Sequence, residues 1–110
     1  MPVSYEQARE VARSRTEPGW DFGTFCLDDR AIVENDDLYV FNVGAREYLV
    51  DRDKAFALVG GVAVVYKADG RFDTLPSPVI AMDPTIRSHP NPAPTLVVSP
   101  PADPMPTPMP

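Results

Sequence analysis

At 110 residues the chain can enclose one hydrophobic core and no second one. Aliphatic and aromatic residues make up 44%, ordinary for a globular protein, whereas 14 prolines are more than twice the usual share. Sixteen Asp and Glu against ten Lys and Arg give a formal charge of −6. That balance disfavours phosphate backbones, where binding depends on Lys and Arg displacing counterions, and excludes nucleic acid from the expected partners.

Ser4 and Gln7 have the spacing of a capping box, with Val3 and Ala8 placed to staple across it, so a helix is predicted from Tyr5. Tyr5, Ala8, Val11 and Ala12 fall on one face at three- and four-residue spacing, and Glu6, Arg9, Glu10 and Arg13 on the opposite, solvated face. Glu17-Pro18-Gly19 stops the helix near Arg15. No basic segment leads into an apolar one here, so this start does not read as a secretory signal.

Trp20, Phe22, Phe25 and Leu27 predict irregular chain or a short strand, closed by Asp28-Asp29 as turn residues. Residues 30–34 and 38–43 read as a hairpin across the acidic turn Asn35-Asp36-Asp37. Tyr39, Phe41 and Val43 alternate onto one face, yet Leu38 and Val40 opposite them are also apolar, which predicts a central strand covered on both sides at one end. Residues 47–50 are expected to continue the sheet after a bend at Gly44. Residues 51–58 are expected to form one or two helical turns, or a loop, before Gly60-Gly61. That pair lacks the further glycines and the lysine of a phosphate-cradling loop and reads as a turn allowing close backbone approach. Residues 62–66 and 71–75 form a second hairpin about Asp69-Gly70. The longest strongly apolar stretch, residues 55–66, falls far short of the roughly 20 residues a membrane span needs, so a soluble protein is expected.

Twelve of the prolines lie from Pro76 onward. Asp83-Pro84 predicts a single capped helical turn, and beyond Arg87 little regular structure is expected, with residues 95–98 the one further candidate for an edge strand. Half of the twelve residues 99–110 are proline, which keeps such a segment extended. The predicted organisation is therefore an α+β domain over residues 1–87, with a helix on an antiparallel sheet of about four strands in two hairpins, and a proline-rich tail over residues 88–110.

Reactive groups are few. His89, the one histidine, sits in Ser88-His89-Pro90-Asn91-Pro92 and reads as a solvated loop residue without the rigid neighbour that general-base chemistry needs. Cys26, between Phe25 and Leu27, cannot build a disulfide alone and reads as a small buried residue of a reduced, cytoplasmic protein. Asp51-Arg52-Asp53 has metal-like carboxylate spacing but matches alternating surface charge as well. The expectation is a domain without catalytic residues, metal or cofactor, which acts by binding a protein.

Residues 28–53 carry eight carboxylates, Asp28, Asp29, Glu34, Asp36, Asp37, Glu47, Asp51 and Asp53, against Arg30, Arg46 and Arg52, and would steer a basic partner there. Tyr39 and Tyr48, like Trp20 and Tyr66, are of the type that anchors interfaces, and equally of the type that fills a core this small. The predicted contact set is thus Asp28, Asp29, Glu34, Asp36, Asp37, Tyr39, Tyr48, Asp51 and Asp53. Pro104-Met105-Pro106-Thr107-Pro108 reads first as an inert linker or disordered terminus; docked as a polyproline ligand, it would instead make the chain an adaptor or phage-type accessory protein.

A capped helix with Tyr5-Glu6-Gln7-Ala8, a strand with Leu38-Tyr39-Val40-Phe41, the pair Tyr48-Leu49, the run Ala57-Leu58-Val59-Gly60-Gly61-Val62-Ala63-Val64-Val65 and a closing Asp69-Gly70 hairpin follow one another in that order. Over about residues 3–75 this order resembles the small immunity-protein family typified by YrhB-like domains, although residues 38–41 lack the tryptophan usual in that strand. The resemblance implies a non-enzymatic protein that neutralises a cognate toxin of a polymorphic-toxin system, and it supplies no catalytic residue. Many toxin domains carry basic clefts, which an acidic partner covers with electrostatically steered association.

Overall fold

The computed structural model describes residues 2–57 and 61–96. Residues 97–110, the greater part of the predicted tail, lie outside the described residues, as do Leu58, Val59 and Gly60. Helix α1 spans Tyr5–Thr16 and opens on the predicted capping box: Gln7 N donates to Ser4 Oγ at 3.1 Å, and Ser4 N donates to Gln7 Oε1 at 2.8 Å. Two of the four orphan donors of the first turn are thereby satisfied locally, which is why so short a signal sets the start.

The strands are β1 (Phe25–Glu34), β2 (Leu38–Ala45), β3 (Gly61–Tyr66), β4 (Phe72–Pro76) and β5 (Arg87–Pro90). They pair antiparallel in the order β4-β3-β2-β1-β5. The two predicted hairpins are therefore present, with β2 at the centre. Its two faces are both covered. On the helix side Tyr5, Ala8 and Ala12 close over Leu27, Phe41, Ala63 and Val65, with the Tyr5 ring stacked at 5.4 Å from that of Phe41. On the other side Leu38, Val40 and Val64 pack with Ile80 and Ile86, which follow the short helix α3 (Ser77–Ala81) or lie within it. Burial of a side chain as large as Phe41, 1% exposed, is worth about 3 kcal/mol, so the register of β2 is fixed by what its alternate residues would lose on a one-residue slip.

Several expectations are corrected. Asp28-Asp29 do not turn the chain. β1 runs through them, with Asp28 opposite Asn42 and Val33 opposite Val40, so residues 29–32 form a bulge against a single residue of β2. Residues 47–50 do not continue the sheet: Arg46 N donates to Thr24 O at 2.7 Å and the chain coils into α2 (Arg46–Leu49). One 3-10 turn, Lys54–Phe56, follows, in keeping with the short helical turn expected within residues 51–58. Asp83-Pro84 caps no helix, because Asp83 Oδ1 instead accepts from Thr85 N and Oγ1 at 2.8 and 2.6 Å. Regular structure also persists past Arg87, since β5 adds a fifth strand to the four expected. Thr95 and Leu96 belong to no strand.

Gly61 confirms the close approach read from the glycine pair. A Cβ there would drive into the Thr74 side chain and stand 3.1 Å from the Leu75 carbonyl oxygen. The outer strands both end in proline, Pro76 and Pro90, and Thr74 N on β4 donates to Asp73 Oδ1 at 2.8 Å.

Candidate functional site

In a meander of four strands, the first and third turns lie at the same end of the sheet. The β1–β2 turn, residues 35–37, and the β3–β4 turn, residues 67–71, therefore meet, and Lys67 N donates to Asp37 O at 2.8 Å across them. Asn35 shapes the first turn by accepting from Asp37 N and Leu38 N at 2.8 and 2.9 Å, which leaves the Asp36 and Asp37 side chains outside. Asp69 and Gly70, the latter with φ of 75°, shape the second. Pro2, which precedes Val3 N bonded to Lys67 O, closes a third side. The result is an open crevice of about 540 Å³ lined by Pro2, Asp36, Asp37, Tyr66, Lys67, Ala68, Asp69 and Arg71.

The two cations of this crevice are already engaged. Lys67 Nζ meets Glu34 Oε1 at 2.7 Å and lies 4.7 Å from the Tyr39 ring centroid, and the Arg71 guanidinium covers the Tyr66 ring at 4.2 Å. Asp36 touches Arg87 at 3.2 Å while its side chain stays 92% exposed. The Asp37 carboxylate has no partner among the described residues. Three carboxylates therefore face outward beside one tyrosine.

The remaining members of the predicted contact set are dispersed. Asp29 is wholly buried, which removes it from any surface; Arg9, predicted on the solvated face of α1, is buried against it at 3.2 Å. Asp28 is paired with Arg30 through two bonds of 2.9 and 2.7 Å, and that hydrogen bonding outweighs burial to hold its carboxyl below the ordinary value. Glu34 sits between His89 Nε2 at 2.8 Å and Lys67, and those two bonds lower its pKa. His89 is thus held on β5 by a carboxylate and is not the unsupported loop residue expected. Tyr39 is half-buried, edge-on to Tyr5 at 5.4 Å. Tyr48 is half-buried on α2, and Glu47 beside it accepts from Thr24 N and Oγ1. Asp51 is exposed, and Asp53 caps the 3-10 turn by accepting from Ala55 N at 3.0 Å.

Cys26 is buried, as expected, and burial pushes its thiol up from the ordinary value. Among the described residues no group of three or more His, Cys, Asp and Glu could hold a metal ion, and no helix is long and apolar enough to cross a membrane. Asp69 and Arg71 were absent from the predicted set, though the two hairpin signals and strand order alone place both turns together. No protein-family model, curated protein or solved structure matches the chain.

Proposed function

We propose that the chain is a non-enzymatic, cytoplasmic protein-binding domain, an immunity or inhibitor protein that neutralises a basic toxin or effector through the hairpin-turn end of its sheet. The observation that carries the reading is the convergence of Asp36, Asp37 and Asp69 beside Tyr66, where Lys67 and Arg71 are committed to Glu34 and to the ring and Arg87 pairs with the exposed Asp36. Outward carboxylates speed encounter with a basic surface. The family resemblance over residues 3–75 and the reduced, buried Cys26 support the same reading.

The test uses the product of the reading frame adjacent to the chain's own gene as candidate partner. Association of the purified proteins is followed by stopped flow at low and high salt, with wild type and with Asp36→Lys/Asp37→Lys/Asp69→Lys. The expected result is an association rate about tenfold lower for the variant at low salt, with the gap closing as salt screens the field. Equal rates at both salts, or no binding by wild type, would refute the proposal.

A further inference from the structure

The outer margin of β1 holds a second arrangement, distinct from the crevice. Residues 92–95 are exposed, and Pro92 and Pro94 lack backbone donors, so neither burial nor a β ladder pins residues 92–95, between the half-buried Asn91 and Leu96. They are fastened at two points. Asn91 bonds the backbone of β1, its N to Arg30 O at 3.1 Å and its Nδ2 to Asp29 O at 2.7 Å. Four residues on, Thr95 N and Oγ1 both donate to Asp29 Oδ2, at 2.8 and 2.6 Å, and Leu96 N donates to Oδ1 at 2.9 Å. Between these points Ala93 N donates to Asn91 Oδ1 at 2.9 Å and shapes the loop. Strand β5 has attachments of its own: its ladder to residues 31–34 and the pairs His89–Glu34 and Arg87–Asp36.

We propose that residues 91–96 are a releasable strap, latched on the Asp29 carboxylate and able to leave β1 while β5 and the rest of the sheet stay folded. The seat is made only of acceptors, a carboxylate and two backbone carbonyls. It takes a segment that presents N–H and O–H donors, and the strap supplies them in cis. Arg9 and Tyr5 face the carboxylate from α1, and Asp28 and Arg30 flank it on β1 while pairing with each other; the strap brings no titratable group. The latch therefore follows the charge of Asp29. Burial would push that carboxyl up, but the bonds from Thr95 and Leu96 and the charge of Arg9 hold it below the ordinary value. The latch is closed at neutral pH and opens as pH falls through the depressed value.

Amide hydrogen exchange on the full chain tests this with Thr95→Pro, which removes one N–H and the hydroxyl but leaves Asp29, Arg9 and Leu96 in place. Protection of the Leu96 and Asn91 amides is expected to fall by about tenfold or more, with the amides bonded between β1 and β5 unchanged. Thr95→Val, which deletes only the hydroxyl bond, gives a smaller fall in the same amides and serves should the proline variant not fold. Unchanged protection at Leu96 in either variant overturns the latch. Joint loss of the β1–β5 amides overturns it too, because the segment would then be part of the sheet.

Discussion

The buried pair of Arg9 and Asp29 makes an asymmetric prediction. Asp29→Ala leaves the Arg9 guanidinium, only 9% exposed as a residue, without its carboxylate, and breaking a buried pair in this way costs about 3–5 kcal/mol. Arg9→Met leaves Asp29 with three donors from Thr95 and Leu96, so one charge-assisted bond is lost, worth about 1.5–3 kcal/mol. That loss is offset because Arg9 Nε is itself buried without a partner and because methionine refills the stem volume. The expected order of destabilisation is Asp29→Ala first and Arg9→Met second, by a margin of about 2 kcal/mol, with the double variant less damaged than Asp29→Ala alone. Urea unfolding followed by circular dichroism, with m-values fitted, measures all three. An Arg9→Met loss equal to or above that of Asp29→Ala would show that the guanidinium, and not the carboxylate, is the organising group.

Two further outcomes follow from packing and charge. Gly61→Ala should cost about 1–3 kcal/mol by forcing the Thr74 side chain and the Leu75 carbonyl away, and adding Thr74→Ser, which removes the methyl in the way, should recover part of it in the same urea assay. Glu34, whose pKa is lowered by the His89 bond first and the Lys67 bond second, stabilises the fold above its unfolded value of about 4.3 and loses that contribution as pH falls through its folded value. Glu34→Gln should therefore lower the urea midpoint near pH 7, and the gap should narrow as pH falls below about 4.3 and close below the depressed folded value; a gap constant with pH would deny the charge its role.

What was legible in the chain was local. The capping box of Ser4 and Gln7 and the turns at residues 35–37 and 69–70 act over three or four residues, and the alternation at 38–43 reports both faces of β2 directly. Asp29 was misread because its partners lie 20 residues before it and 66 after it in sequence, so two adjacent aspartates looked like a turn. Arg9 was misread for the same reason: helical periodicity cannot see a carboxylate on another strand. β5 gives no pattern at all, since Arg87–Pro90 is exposed throughout and held by backbone pairing and ion pairs. Within the crevice, Asp36 and Asp37 were legible as turn residues left outside, whereas Asp69 and Arg71 needed the strand order that sets the two turns side by side.

Prolines close both lateral strands, and on β4 the Thr74 amide hydrogen is already taken by its neighbour's carboxylate. Copies meeting rim to rim thus find one donor missing from each lateral strand and one on β4 already occupied. Crowded chains of this kind are steered away from open-ended stacking, and contact with other molecules is displaced toward the turns and the broad faces.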